Sequence, residues 1–298
     1  MRTIDFIGAN FGLGGKIKGS EYAPQRFRAL GIISRIMQYG YHIEDKGDIA
    51  IPIYISDSKT TTDNVHYLHE VVQFSTLLKQ YVLQSYQDNH LALVIGGDHS
   101  IALGSLSATL QKDPNAAVIW FDAHTDINTE ATSPSHNAHG MPLAAMLHLC
   151  TSCLSDVVST PIKSSNIFYV GVRSIDYGEQ QIIQQYGIHT YTIQDIQNRG
   201  MQYILQDINH HIQQQEITTI HLSFDVDSID PTIVPATGVP EPNGIIEQQL
   251  DTFCQWLPID KIKVIDFVEY NPLLDNDNNS TGKYCCQTIC KILTNNHL

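Results

Sequence analysis

Cysteine is scarce in this chain: six residues in 298. Small disulfide-framed domains are dense in cysteine, so a disulfide scaffold is excluded. Cys150 and Cys153 form a lone CxxC, and Cys285, Cys286 and Cys290 cluster late in the chain. A zinc ribbon needs two such pairs, so the six read as ordinary reduced thiols. Basic residues are also few, 17 Lys+Arg against 31 Asp+Glu, for a formal net charge of −14. Proteins that hold a phosphate backbone carry the opposite balance, which excludes nucleic acid and anionic membrane as main partners. No apolar run approaches the ~20 residues that cross a bilayer as a helix. Asp5 falls where a secretory leader would be apolar. The expectation is a soluble, cytoplasmic protein. Charged residues make up only 16% and hydrophobic residues 42%, too apolar for global disorder. The acid excess leaves three explanations open: a solvated surface, a cationic ligand, or bound cations.

What is present is an alternation. Short apolar runs at residues 3–8, 91–95, 117–121, 167–170, 220–224 and 263–267 read as strands. Between them lie helical patterns. Residues 65–85 place Leu68, Val71, Val72, Phe74, Leu77, Leu78 and Tyr81 at helical spacing, and residues 197–215 are long enough for another helix. Continuous apolar strands separated by helices predict a parallel sheet covered on both faces. No internal repeat and no Pro/Ser linker divides the chain, and residues 275–280 read as a polar loop. One α/β domain over residues 1–298 is the expectation.

Three of these runs end in unusual polar clusters. They are Gly96-Gly97-Asp98-His99-Ser100, Asp122-Ala123-His124-Thr125-Asp126 and Asp225-Val226-Asp227. Ligands of open parallel sheets bind outside the carboxyl ends of the strands, so these clusters should converge. Side chains of extended chain alternate faces with period two, which lets Asp122, His124 and Asp126 point one way, and Asp225 and Asp227 likewise. Carboxylates gathered at one point repel or protonate unless a cation joins them. Oxygen and imidazole donors without cysteine suit Mn²⁺ or a related catalytic ion. Six ligands are too many for one tetrahedral centre with an open position; bridging carboxylates would suit two ions ~3.5–4 Å apart. Residues 12–19, Gly12-Leu13-Gly14-Gly15-Lys16-Ile17-Lys18-Gly19, lack the GKS/GKT ending of a phosphate loop and read as a flexible loop near the rim of the site.

At these residues the chain resembles the ureohydrolase family, and within it the arginases. The resemblance runs from Ile7-Gly8-Ala9 to Val268-Glu269-Tyr270-Asn271-Pro272 and rests on GGDHS, DAHTDIN, a long loop ending in NAHGMP, SFDVDSIDP and FVEYNP in that order. It implies a three-layer α/β/α fold of arginase/deacetylase type. It also implies two Mn²⁺ per subunit, the first on His99, Asp122, Asp126 and Asp225, the second on Asp122, His124, Asp225 and Asp227. The implied reaction is hydrolysis of L-arginine to L-ornithine and urea by a hydroxide bridging the ions, with Asp126 moving its proton. By the same resemblance, His139 would shuttle protons as an exposed loop imidazole and Glu269 would hold the guanidinium. A homo-oligomer, trimer or hexamer, is implied as well.

The metal motifs are shared across the family, so substrate choice must lie at the other end of the ligand. The resemblance places Asn128, Ser135 and Asn137 against an α-carboxylate, and Asp176 with Glu179 against an α-amino group. Three departures stand out. Val239 follows Ala236-Thr237-Gly238 where arginases have threonine, His136 stands where many have glycine, and residues 239–244 read more like an agmatinase loop. Agmatinase, or another guanidino amidinohydrolase, is therefore the alternative enzyme. A single-ion zinc deacylase would lack the second ligand set. A non-catalytic binding or scaffold protein would be expected to have lost ligands.

Overall fold

The computed structural model describes residues 2–50 and 60–294. Eight strands form one sheet: β1 (Thr3–Ala9), β2 (His42–Asp48), β3 (Leu91–Gly96), β4 (Ala117–Phe121), β5 (Ile167–Val172), β6 (His189–Thr192), β7 (Ile220–Asp225) and β8 (Ile262–Val268). Their spatial order is β2-β1-β3-β8-β7-β4-β5-β6, and every neighbouring pair is parallel. β3, β4, β5 and β7 are buried along their whole length; the first three are continuously apolar or nearly so, whereas β7 alternates Ile220, Leu222 and Phe224 with buried His221, Ser223 and Asp225.

Helices cover both faces, as the alternation predicts. Leu91, Leu93 and Ile95 join one apolar core with α1 (Ala23–Ala29), α2 (Ile32–Gln38), α8 (Met201–Gln214), α9 (Glu247–Trp256) and α10 (Ser280–Thr294). Ala92 and Val94, one residue out of phase, join a second core with α3 (Leu68–Gln87), α4 (Ala102–Lys112) and α5 (Pro142–Met146). The period-two alternation of β3 thus feeds two cores, one on each side of the sheet. Between them in sequence lie α6 (Tyr177–Tyr186) and α7 (Ile193–Arg199). No helix among the described residues is long and apolar enough to cross a membrane. All six cysteines are free, and Cys285, Cys286 and Cys290 sit buried on α10 as core residues.

The differences from the sequence reading have local causes. β2 and β6 are the two sheet edges; the sequence of β2, HIEDKGD, is largely polar because an edge strand is half solvated. The helix expected over 197–215 is broken by Gly200, whose φ of 84° lies in the left-handed region, into α7 and α8. The helix expected from residue 65 starts at Leu68, because Val65–His66 pairs with Thr61–Thr62 in a short hairpin.

Topology brings the site together. β3, β8, β7 and β4 are consecutive in space, and the chain passes over two strands between β3 and β4. The order therefore reverses there, and the carboxyl ends of these four strands open on one crevice. Behind them α4 packs tightly on α3. A Cβ on Gly104 would stand 2.4 Å from the Ser75 carbonyl oxygen and 3.0 Å from its Cα. We predict that Gly104→Ala lowers Tm by roughly 2–4 °C, overpacking of about 3 kcal/mol against backbone outweighing a helix-propensity gain of ~1 kcal/mol. An unchanged or higher Tm in thermal melts would show that α3 and α4 move apart without strain.

Candidate metal centre

The six residues of the expected ligand set converge at the ends of β3, β4 and β7. His99 Nδ1 lies 2.9 Å from Asp122 Oδ2, 3.0 Å from Asp126 Oδ2 and 3.2 Å from Asp225 Oδ2. His124 Nδ1 lies 3.0 Å from Asp227 Oδ2 and 3.6 Å from Asp122 Oδ1. His99–Asp122–Asp126 and Asp122–His124–Asp227 each present donor atoms within 4.8 Å of one another, and Asp122 belongs to both groups.

The convergence has a different local cause from the strand alternation expected. Each cluster opens with an Asx turn, in which an aspartate oxygen accepts the backbone N–H two residues on. Asp98 Oδ1 accepts from Ser100 N at 2.9 Å, Asp122 Oδ1 from His124 N at 2.7 Å, and Asp225 Oδ1 from Asp227 N at 2.7 Å. In the second and third turns the residue whose amide is bound supplies the next ligand. The other oxygen of Asp122 and Asp225 is left facing His99. The spacing of two therefore belongs to the turn, not to a strand. Asp126 adds a left-handed backbone, φ 48°, uncommon for a residue with a side chain.

Two buried atoms at the centre of the cluster lack the partner that a cation would supply. His99 Nδ1 and Asp122 Oδ2 are both fully buried and neither has a hydrogen-bond partner among the described residues. They nevertheless face each other at 2.9 Å. The opposite nitrogen, His99 Nε2, lies 2.8 Å from Ser223 Oγ, and Trp120 stacks on the ring at 4.1 Å. If Nε2 donates to Ser223, the Nδ1 lone pair points at the carboxylates. Ligands ~2.1 Å from one cation and at right angles stand ~3 Å apart, the spacing seen here. Burial and then the charges of Asp227 and Asp122 push Asp225 well above the usual carboxylate range. Burial and the charge of Asp122 push Asp227 up to about 6. The donor set is the one that a divalent cation would satisfy.

Around this centre a cavity of about 330 Å³ opens to solvent. Asn128, Ser135, Asn137, His139, Asp176, Glu179 and Glu269 all line it, with His124, Asp126, Asp225 and Asp227 at its floor. Every expected site residue is thus in one place, but three differ from expectation, the first being Asn128, whose amide donates to Asp176 Oδ2 at 2.9 Å. His139 is not exposed: its Nδ1 lies 3.1 Å from Glu269 Oε1, and only 18% of its side chain is accessible. Burial opposes its charge, but the Glu269 hydrogen bond prevails and pushes it up to about 9. Glu179 does not present a free carboxylate. Oε1 accepts from Ile127 N at 3.1 Å and Oε2 from Asp176 N at 2.9 Å, so it ties the residue 126–128 loop to the first turn of α6. Burial, with the nearby charge of Asp126, pushes it up to about 7 against those amides.

Glu269, after β8, also has a left-handed backbone, φ 66°, and its Oε1 accepts from His99 N at 2.9 Å. His136 stands at φ 58°, a conformation glycine takes without cost, and its Nδ1 lies 3.0 Å from the Asn64 carbonyl. It packs on the hairpin beside the cavity.

Sequence reasoning missed three supports. Ser223 could have been found two residues before Asp225 on the same strand face. Arg173 donates to the carbonyls of Asp227 and Glu241 at 2.8 Å and of Ser228 at 3.1 Å, locking the β7 turn to the residue 239–244 loop. Nothing in its neighbourhood signals that. Asp98 binds Gly14 N at 2.9 Å and so fixes the glycine-rich loop at the rim, where Lys16 lines the cavity.

Comparison with known proteins agrees with this geometry. The description "Arginase family" matches residues 2–294. The chain belongs to the arginase family. It is 35% identical over 281 residues to the arginase of Staphylococcus aureus strain MSSA476, covering 94% of this chain and 93% of that one. The crystal structure of Bacillus subtilis arginase superposes with a TM-score of 0.92 at 35% identity, covering both chains entirely. The Entamoeba histolytica arginase, solved in complex with L-ornithine, gives 0.89 at 34%, covering 98% of each. Arginase-family membership and the orphaned donors point to the same experiment. Adding Mn²⁺ at a hundredfold excess over Kd to metal-stripped protein should raise Tm by roughly 9 °C, from ~2.7 kcal/mol of linkage at each of two sites. Asp225→Asn should lose most of that shift; an equal shift in the variant would place the ions elsewhere.

Proposed function

We propose that this chain hydrolyses L-arginine to L-ornithine and urea, acting over residues 1–298 as one catalytic domain. The observation that carries the reading is the pair of ligand groups sharing Asp122 at the floor of a cavity walled by Glu269 and His139. Family membership supplies the reaction class. His99, Asp122, Asp126 and Asp225 would hold a first Mn²⁺, and Asp122, His124, Asp225 and Asp227 a second. When bound, the two ions supply Lewis acidity that makes water nucleophilic near neutral pH.

The chain's own residues do the rest. Glu269 is held through Oε1 by His99 N and His139 Nδ1, while Oε2 is the oxygen nearest to Gly238 in the adjoining loop; a Cβ there would meet it at 3.7 Å. A carboxylate so fixed orients a guanidinium through paired N–H donors. Burial opposes ionisation of Glu269, but the His139 hydrogen bond holds it below the usual range, so it binds as the anion. Asp126, next to His99 and only 7% exposed, takes the proton released as water adds to the guanidinium carbon. It returns that proton to the departing amine, and urea and the amino acid separate. His139, kept charged by Glu269, exchanges protons between the amine and solvent. Asp176 accepts the α-amino group, positioned by the Asn128 amide at 2.9 Å. Ser135 and Asn137 donate to the α-carboxylate, and Glu179 acts by holding Asp176 and the residue 126–128 loop in place.

A second reading has one observation behind it. Val239 and Glu241 both line the cavity, and Glu241 Oε1 comes within 3.8 Å of His124 Nε2. This further acid in the cavity lining suits a dicationic substrate such as agmatine. A scaffold without catalysis is disfavoured by the intact ligand set. The proposed setting is a cytoplasmic homo-oligomer, a trimer or hexamer.

Urea release from manganese-loaded protein decides between the enzymes. We expect kcat/KM for arginine to exceed that for agmatine at matched concentrations; the reverse order would replace the arginine reading with the agmatine one. His139→Asn should cut kcat roughly tenfold or more with both metals retained. A wild-type rate in that variant rejects the shuttle.

A further inference from the structure

We propose that Lys16 is a specificity-determining residue that selects substrates bearing an α-carboxylate. The inference deepens the arginine reading above and rests on it. Beyond the proposed metal ligands, four carboxylate side chains line the cavity, Asp176, Glu179, Glu241 and Glu269, against one lysine and no arginine. A cavity so lined attracts a guanidinium and an ammonium group, and repels the carboxylate of an amino acid. Once the guanidinium sits beside Glu269 at the metal end, the carboxylate must lie toward the mouth, among Ser133, Ser135, Asn137 and Lys16.

The neutral donors there are partly committed. The Asn128 amide donates to Asp176 Oδ2 at 2.9 Å, and its carbonyl accepts from Thr132 Oγ1 at 2.9 Å. Ser133 Oγ accepts from His136 N at 3.1 Å. Lys16 supplies the positive charge that these groups lack. Its side chain is exposed, but its backbone is pinned on both sides. Two residues before it, Gly14 donates to Asp98 Oδ2 at 2.9 Å and accepts from His139 N at 3.1 Å. Two residues after it, the Lys18 carbonyl accepts from Asn271 Nδ2 at 3.0 Å. These anchors follow β3 and β8 and include the proposed proton shuttle, so the lysine is carried by the walls of the site and not by a loose rim. A long, solvated ammonium on a fixed backbone reaches a carboxylate at the mouth without reaching the metal end.

The test compares wild type, Lys16→Met and Lys16→Arg as manganese-loaded enzymes. Lys16→Met should raise KM for arginine about two- to fivefold, in the range of an exposed ion pair, with kcat moving less than twofold. KM for agmatine, which has no carboxylate, should hold or fall, and Lys16→Arg should restore most of the arginine value. Equal shifts for arginine and agmatine would overturn the assignment. Ki values for ornithine and putrescine, against whichever guanidino compound is split, keep the two readings separable. If agmatine proves the better substrate, Lys16 is still supported by selective loss of ornithine inhibition in Lys16→Met and contradicted by an unchanged ornithine-to-putrescine ratio.

Discussion

Four aspartates held side by side in a buried crevice repel one another, and the rest of the site follows from how that repulsion is imposed and relieved. It is imposed by turns. In Asp122 and Asp225 one oxygen is spent on an amide two residues ahead, so the other cannot rotate away from the cluster. Removing two carboxylates from water into one pocket is expensive unless a cation accompanies them, and the raised affinity of Asp225 and Asp227 for protons expresses the same cost. The buried His99 nitrogen facing three oxygens without a hydrogen bond expresses it again. Protons or metal ions are the alternatives, and near neutral pH the donor set favours metal.

The scaffold holds the turns rigid. Parallel strands with helices on both faces put the ends of β3, β8, β7 and β4 next to each other. Arg173 joins the β7 turn to the residue 239–244 loop through backbone carbonyls, and Glu179 joins the β4 loop to α6. Both are charged groups that a sequence reader assigns to ligands or surface. Here they satisfy backbone groups at places where loops must not move. Asp126 and Glu269 keep left-handed backbones at the two ends of the reacting region, strain that only a well-braced surround maintains.

Much of this was legible in the residues. Most buried strands announced themselves because burial on both faces favours apolar side chains, although β7 keeps His221 and Ser223 buried through hydrogen bonds. The ligands were visible because so many acids and imidazoles at strand ends have few other uses. The edge strands were hidden, since half-solvated strands read as polar loops, and Gly200 did not look like a helix break until its φ was known. The enclosure of His139 and the Ile127 contact of Glu179 depend on tertiary partners more than 50 residues away, which local spacing does not encode, whereas the Asp176 contact of Glu179 is a local capping box. The period-two argument reached the right residues through the wrong geometry: the repeat belongs to Asx turns.

In the proposed reading, one end of the cavity holds inorganic cations and guanidinium, and the other holds the side chains that distinguish an amino acid from an amine. Part of the overall acid excess, 31 Asp+Glu against 17 Lys+Arg, is placed at the first end. The central claim is that two ions share Asp122 and Asp225. Anomalous diffraction at the manganese edge, from crystals grown with Mn²⁺, tests it most directly. Two peaks ~3.5–4 Å apart, both within bonding distance of those two carboxylates, are predicted. A single peak, or two peaks with no shared carboxylate, would contradict the account.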